Sequence, residues 1–192
     1  MSIAIAKLTP EQRLETFSSR RPALDDWLKR RALQVQRSDT AVTYVAVLGR
    51  IVGYVSLASG SVMPDDMNER IRKGVAGGLP IPTLLLARLA IDIAFESQGI
   101  GSTLLLHAMR LVVAVADQVG IRSLVVNPID DEAFGFCAKF DFQTLEGVHP
   151  PMMYLLTKDV RKLVATYDAA LERARHTAKQ MDEAPSGSGG SR

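Results

Sequence analysis

The sequence is poor in the residues that build disulfides and metal sites. Its 192 residues include one cysteine, Cys137, and three histidines that lie far apart along the chain. A single cysteine excludes an intramolecular disulfide and any metal site built from several cysteines. The separated histidines offer no metal-binding spacing either, so we expect no metal.

The sequence also lacks a targeting signal and a long apolar run. The first residues contain no extended apolar segment followed by a small-residue cleavage site. The uncharged stretch 51–64 is too short to span a membrane and contains glycine and serine. With 47% hydrophobic residues, 23% charged residues and a net charge of +2, the composition is that of a soluble domain. We therefore expect a cytoplasmic protein with no membrane span.

What the sequence does contain is an alternation of helix and strand patterns. Apolar residues three and four positions apart predict a first helix over 22–36, with Trp27 on its buried face. Two β-rich runs, 43–48 and 51–58, flank Gly49 and predict a hairpin, because glycine supplies the positive φ of a tight turn. The later patterns predict a polar loop or short helix at 63–82 and strands at 83–92, 122–129 and 152–157. They also predict a helix that follows the glycines at 99 and 101 and runs to about Val119, and a helix at 130–140 that Asp130 caps.

This order indicates a mixed α/β fold in which helices cover a sheet with an antiparallel edge. We assign residues 1–157 to one domain of this kind. Residues 158–181 carry apolar side chains at helical spacing among charged ones, which predicts an amphipathic C-terminal helix. Residues 182–192 are too small and polar to pack, and we expect them to be disordered.

The stretch ESQGIGST, residues 96–103, joins a predicted buried strand to the helix that follows it. The first N–H groups of a helix have no intrahelical partner, and the helix dipole favours an anion there. Gly99 and Gly101 let a ligand approach the backbone closely. The pattern predicts a phosphate or pyrophosphate site, with a ligand-free strand-to-helix turn as the alternative. It lacks the Gly-Lys-Ser/Thr ending of a nucleoside-triphosphate loop and the third glycine of a dinucleotide fold.

The segment LARLAIDIAFESQGIGSTLLLHAM resembles the acetyl-CoA-binding motif of the GNAT acetyltransferase superfamily. In that superfamily an apolar strand leads into a Gln/Arg-x-x-Gly-x-Gly turn, whose amides cradle the pyrophosphate of coenzyme A while the strand pairs with the pantetheine arm. The resemblance implies acetyl-CoA as the cofactor, although Glu96 stands where glutamine or arginine is usual. The residues it implies in cofactor binding are Leu89, Ala90 and Ile91 on the strand and Ser97, Gln98, Gly99, Ile100, Gly101, Ser102 and Thr103 in the turn.

Three segments resemble the TacT-type GNAT toxins in their order along the chain: FSSRRPALDDWLKRRALQVQ, TYVAVLGRIVGYVSLASGSV and IPTLLLARLAID. The resemblance implies the GNAT fold, a mixed central sheet with antiparallel N-terminal strands, flanked by helices. It also implies that the chain acetylates the α-amine of aminoacyl-tRNA, blocks translation and is silenced by a ribbon-helix-helix antitoxin. We also expect a homodimer.

The resemblance breaks at the tyrosine that is thought to protonate the departing coenzyme A thiolate. The toxin group usually carries A-x-x-F-Y-x-x-F-G-F, and here the segment 133–142 reads AFGFCAKFDF. Cys137 therefore stands in place of the tyrosine, and Asp141 in place of a glycine. Cys137 is our candidate catalytic residue, because a thiol with an ordinary pKa of about 8.5 is acidic enough to donate a proton. The alternatives are a buried packing residue and an enzyme that binds coenzyme A but turns over slowly.

Two basic runs suit an RNA substrate, since their side chains can neutralise tRNA phosphates. A plain solvated face is the alternative for each run. A protein or small-molecule amine is a second substrate class, and a catalytically degenerate CoA-binding module that pairs with a ribbon-helix-helix repressor is a third interpretation. The candidate RNA-binding residues are Lys29, Arg30, Arg31, Arg37, Arg70, Arg72 and Lys73.

Overall fold

The structure, a computed structural model, describes residues 3–63, 69–73, 79–145 and 150–183. The elements within these ranges are β1 (Ala4–Lys7), α1 (Pro22–Arg30), α2 (Ala32–Arg37), β2 (Val42–Leu48), β3 (Arg50–Val62), α3 (Glu69–Arg72), β4 (Ile81–Ile91), α4 (Ile100–Val119), β5 (Ser123–Val126), α5 (Asp131–Ala138), β6 (Gln143–Leu145), β7 (Met152–Leu156) and α6 (Thr157–Glu183). The strands form one sheet in the order β1-β2-β3-β4-β5-β7-β6. Among these described strands β4 and β5 are parallel, and the other neighbouring pairs are antiparallel. The predicted mixed α/β fold with antiparallel N-terminal strands is confirmed.

The elements differ from the sequence prediction at their ends. The predicted first helix is two helices, because the chain bends at Arg31, whose φ is −116°. The second hairpin strand runs on to Val62, since residues 59–62 pair with the start of β4. The edge strands β1 and β6 were not predicted, and each is only three or four residues long. The hairpin turn at Gly49 has the expected positive φ of 70°.

The sheet is covered on both faces. One face packs against α4, α5 and α6 in the largest apolar core, and the other face packs against α1 and α2. Helix α4 lies very close to β3 at Gly53, where a Cβ would stand 2.9 Å from Ile91 Cδ1 and 3.0 Å from Leu104 Cδ1. A glycine at this point allows the start of α4 to lie directly on the sheet.

Helix α4 is also long and apolar enough, by length and composition alone, to span a membrane. Seven of its residues are buried, and it packs against β2, β3, β4 and α6. Its apolar character is therefore explained by its position as the core helix of the fold.

Helix α6 follows β7 without a break and starts at Thr157, one residue before the predicted position. Its first half is fastened to the domain by ion pairs from Arg110 to Asp168 and from Arg161 to Asp117. Residues 171–178 are exposed. The predicted domain boundary and the disordered tail stay predictions, and residues 184–192 of that tail lie outside the described residues.

The two parallel strands separate where the candidate site begins. Pairing of β4 with β5 ends at Leu86 opposite Val126, while β4 continues beside β3 to Ile91. At the same point Ala87 forms a bulge, since Ser56 pairs with Arg88 and the next residue of β3 pairs with Leu86. A bulge bends the strand that carries it. Among the described strands, the end of β4 therefore has a neighbour on one side alone.

Candidate active site

A cleft of about 570 Å³ occupies the space where β4 and β5 separate. This volume lies in the range of small-molecule sites. Its walls are the end of β4, the glycine-rich turn at 95–102, the loop at 126–130, helix α5 and the segment 19–21 before α1. We call it the β4–β5 cleft.

One wall of the cleft carries unpaired strand backbone. The N–H of Asp92 donates to the carbonyl oxygen of Val52 at 2.9 Å, so it points toward β3. Successive N–H groups along a strand alternate in direction. The N–H groups of Leu89 and Ile91 therefore point away from β3 and toward the cleft, whereas that of Ala90 faces β3.

The glycine-rich turn places a helix N-terminus at the same cleft. Ser97 and Gly99 adopt positive φ angles of 59° and 78°, which turn the chain sharply into α4. The N–H groups of Ile100, Gly101 and Ser102 belong to the first turn of the helix, where no intrahelical acceptor exists. Both the N–H and the hydroxyl of Thr103 donate to the Gly99 carbonyl at 3.0 Å. The free donors of this turn are therefore its first amides.

A partly buried ion pair fixes the chain just before the turn. The guanidinium of Arg50 donates to both carboxylate oxygens of Asp92, at 2.6 and 2.9 Å. Asp92 is 2% exposed and also accepts from the N–H groups of Ser18 and Ala94. The hydrogen bond from Arg50 is the largest cause that lowers the pKa of Asp92. This carboxylate joins β4, the turn and the segment before α1 into one unit.

Two ion pairs hold the segment before α1 across the cleft. Arg20 Nε donates to both carboxylate oxygens of Glu96, at 2.7 and 3.0 Å. Arg21 pairs with Asp130, whose carboxylate caps α5 by accepting from the Ala133 N–H at 2.8 Å. The cap predicted at Asp130 is confirmed. The carboxylate of Glu96, at the position where glutamine or arginine is usual, is therefore balanced by a cation from a distant part of the chain.

The predicted cofactor residues mostly meet at this cleft. Gln98 and Thr103 are not part of its lining, because the Gln98 amide donates back to the Ala94 carbonyl and Thr103 points into its own helix. The predicted residues that line the cleft are Leu89, Ala90, Ile91, Ser97, Gly99, Ile100, Gly101 and Ser102.

Cys137 also lines the cleft, but its surroundings are those of a packing residue. It is 5% exposed and belongs to the main apolar core together with Phe140 and Phe142. Burial raises the pKa of the Cys137 thiol to about 11. This environment favours the packing interpretation of Cys137, and the proton-donor role stays a prediction.

The predicted RNA-binding residues lie outside the cleft lining. Lys29, Arg30, Arg31 and Arg37 are exposed on or beside α1 and α2, and Arg30 pairs with Asp26 on its own helix. Arg72 and Lys73 are exposed at α3, and the Arg70 side chain lies outside the described residues. Helix α3 lies near the amino ends of β4 and β5, where the Arg122 guanidinium donates to the carbonyls of Ile71 and Lys73 at 3.2 and 2.7 Å, and the cleft lies at the other ends of these strands. The RNA-binding role of both basic runs stays a prediction.

Three arginines that line the cleft were not among the predicted site residues. Arg20 and Arg21 line it from the segment before α1, and Arg88 lines it from β4. Arg88 could have been found from the sequence, because a charged residue inside an otherwise apolar strand is seldom buried unless it has an interaction partner. Its guanidinium lies 4.2 Å from the centre of the Trp27 ring, and Trp27 in turn stacks on Tyr54. The prediction that Trp27 packs in the core is thus only part of its role.

No family model matches the sequence. A tRNA-acetylating toxin from Mycobacterium tuberculosis is 39% identical over 150 residues, which are 78% of this chain and 89% of that protein. Among solved structures, AtaT complexed with acetyl-methionyl-tRNAfMet superposes with a TM-score of 0.78 at 25% identity, over 84% of this chain and 99% of that chain. A mutant of AtaT bound to acetyl-CoA and the C-terminus of the antitoxin AtaR has a TM-score of 0.74 at 26% identity, over 86% and 99% of the two chains.

Proposed function

The chain belongs to the TacT-type toxins of the GNAT acetyltransferase superfamily, and from this membership we propose that it transfers the acetyl group of acetyl-CoA to the α-amine of aminoacyl-tRNA and thereby blocks translation. The observation that carries the proposal is the cleft itself. A helix N-terminus with free amides meets the open edge of β4 in one space. The relatives supply the chemistry: one is named a tRNA-acetylating toxin, and another was solved with acetyl-methionyl-tRNAfMet.

The donor set suits acetyl-CoA. Its pyrophosphate needs hydrogen-bond donors and positive potential, which the amides of Ile100, Gly101 and Ser102 provide at the start of α4. Its pantetheine arm carries amide groups that can pair with a strand edge, and β4 offers one beyond Leu86. Glu96 is neutralised by Arg20, so that the carboxylate in the turn does not repel the phosphates.

Bound acetyl-CoA supplies an acetyl group activated as a thioester. The N–H groups of Leu89 and Ile91 are the donors placed to polarise the thioester carbonyl, which favours attack by an amine. No side-chain base is assigned, and a water molecule in the cleft accepts the amine proton. As the new C–N bond forms, the C–S bond breaks and the electron pair leaves on sulfur.

The part of the site that the structure describes offers only a poor proton donor, Cys137, for the departing sulfur. The Cys137 thiol, with a pKa of about 11, is a weaker acid than an ordinary thiol at about 8.5, so proton transfer from it to a departing thiolate is uphill by roughly 3 kcal/mol. We propose that the thiolate departs without help from Cys137 and is protonated afterwards by exchange with bulk solvent, in which a thiol of ordinary pKa is mostly protonated at pH 7. This favours a slow enzyme over an inactive CoA-binding module, since positioning alone still accelerates the reaction.

The partners of this activity follow from the relatives. We propose that the exposed basic side chains of α1 and α2 guide the acceptor stem of tRNA toward the cleft and that those of α3 contact the tRNA at a greater distance from it, because each can neutralise a phosphate. We also propose a ribbon-helix-helix antitoxin as the inhibitor, since AtaT was solved with the antitoxin AtaR, and a homodimer working in the cytoplasm, where charged tRNA is found.

The experiment that tests the proposal combines binding and turnover in one sample. Calorimetry with acetyl-CoA measures cofactor binding, and intact-mass analysis of a pool of aminoacylated tRNAs then detects acetyl transfer. We expect micromolar binding and acetylation of at least one aminoacyl-tRNA, with inhibition of translation that requires acetyl-CoA. Binding without acetylation of any charged tRNA would overturn the proposal that aminoacyl-tRNA is the substrate. Absence of acetyl-CoA binding would overturn the proposal that the chain is an acetyltransferase.

A further inference from the structure

Arg88 is a cation of the cleft that has no acidic partner in the described part of the chain. Among the described residues no carboxylate forms an ion pair or a hydrogen bond with it. Arg20 and Arg21, the other arginines of the lining, are both paired with carboxylates. Arg88 is therefore the guanidinium of this site that remains available to a bound anion.

An aromatic stack holds Arg88 in place. Its guanidinium carbon lies 4.2 Å from the centre of the Trp27 ring, and the Trp27 and Tyr54 rings stack at 5.9 Å with an interplanar angle of 15°. Tyr54 is fully buried and its hydroxyl donates to the Leu24 carbonyl at 2.9 Å. A guanidinium that rests on an aromatic ring keeps its N–H groups free at the edge, in the planar fork that matches a phosphate. The stack thus orients Arg88 without using its donors.

Arg88 lies on the opposite face of the sheet from the glycine-rich turn. Leu89 and Ile91 pack into the core beneath α4, whereas Ala90 packs into the core beneath α1 and Arg88 contacts Trp27 of α1. The amides at the start of α4 therefore lie on one side of the β4–β5 cleft, and the Arg88 guanidinium lies on the other. Two anion-binding groups on opposite faces suit two anionic substrates that meet between the strands.

We propose that Arg88 binds the backbone phosphate nearest the 3′ end of the aminoacyl-tRNA and is a specificity-determining residue for the acceptor. The inference rests on the proposed function, which assigns the α4 amides to acetyl-CoA and leaves the α1 side to the acceptor. In an aminoacyl-tRNA one nucleoside separates the reacting amine from this phosphate. A polyamine or a lysine side chain brings positive charge instead and is repelled by Arg88, so the residue selects an RNA-linked amine over a free cationic one.

The test compares Arg88→Gln with Arg88→Lys and with Arg175→Gln, a control on the exposed part of α6. Two acceptors are used: a pool of aminoacylated tRNAs, and aminoacyl-adenosine, which keeps the amine and ester but has no phosphate. For the tRNA pool, Arg88→Gln should raise KM by at least about tenfold, the size of a charge-assisted hydrogen bond, with kcat little changed. For aminoacyl-adenosine, KM should be the same as in the wild type. The acetyl-CoA Kd should be unchanged in every variant.

Salt dependence separates a phosphate contact from a packing role. Loss of one phosphate contact makes the negative slope of log(1/KM) against log[salt] less steep by about 0.7 to 0.9. We expect this decrease for Arg88→Gln. We expect no decrease for Arg88→Lys, which keeps the charge, or for Arg175→Gln.

The outcomes distinguish this inference from the proposed function. A wild-type protein that acetylates no charged tRNA overturns both. An active wild type with an unchanged KM and salt slope in Arg88→Gln overturns the role of Arg88 alone. An equal loss on both acceptors, or a weakened acetyl-CoA Kd, assigns Arg88 to packing of the Trp27 stack and also overturns it.

Discussion

The burial of Cys137 predicts that removing its thiol leaves catalysis almost intact. A working general acid contributes about 10²- to 10⁴-fold to a rate. Burial raises the pKa of this thiol to about 11, which makes it a weaker acid than an ordinary thiol at about 8.5 and a poor proton donor. We therefore expect Cys137→Ala to change kcat by less than about threefold, with a loss of about 1 kcal/mol in stability from the small cavity.

A matched pair of variants tests the same reasoning from the other side. Cys137→Tyr restores the ring and hydroxyl usual in this family, and Cys137→Phe restores the ring without the hydroxyl. Both add volume to a packed position, at a cost of about 1 to 3 kcal/mol, so their melting temperatures should fall together. We expect kcat for acetylation of charged tRNA to rise at least tenfold in the Tyr variant relative to the Phe variant.

The assay is single-turnover acetylation of aminoacylated tRNA at saturating acetyl-CoA, because it isolates the chemical step from product release. A fall of about a hundredfold or more in Cys137→Ala, at unchanged acetyl-CoA affinity, would refute the reasoning. Cys137 would then be a proton donor in spite of its burial. Equal rates for the Tyr and Phe variants would instead show that protonation of the thiolate does not limit this enzyme.

Three further predictions concern the charges and the backbone around the site. Arg20→Ala should weaken acetyl-CoA binding roughly two- to fivefold by leaving the Glu96 carboxylate unpaired, and Glu96→Gln in the same chain should restore it; calorimetry that finds no rescue contradicts the pairing. Asp141 has a φ of 61°, so Asp141→Gly should raise the free energy of unfolding by about 0.5 to 1 kcal/mol and Asp141→Ala should lower it. Thermal melts that give the opposite order contradict this prediction. Asp92→Asn should cost about 2 kcal/mol at pH 7 in urea unfolding, because it breaks a largely buried pair. The hydrogen bond from Arg50 lowers the pKa of Asp92 from 3.8. The stabilising effect of Asp92 is therefore complete above pH 3.8 and is lost as the pH falls through the lowered pKa. A difference in stability between Asp92→Asn and wild type that persists below this pKa contradicts the role given to the ion pair.

Local patterns in the sequence determined the fold class and predicted the turn that we propose binds the cofactor. Apolar periodicity placed the main helices and strands, and the two glycines of the turn predicted an anion site at the point where the structure begins α4. Short edge strands such as β1 and β6 escaped prediction, because three or four residues carry too little periodicity to be recognised. The cap at Asp130 was found from the sequence since it depends on residues three positions apart.

Only the tertiary structure decided which charges meet and which groups are buried. Arg20 reaches Glu96 across 76 positions of sequence, and Arg50 reaches Asp92 across 42. No local pattern reports such pairs, because they are created by the folding of the sheet. The same holds for Cys137: the resemblance left a proton donor and a packing residue open, and the packed core shows a buried thiol whose pKa is raised. Identity and spacing are properties of the chain, while burial and charge pairing are properties of the packed whole.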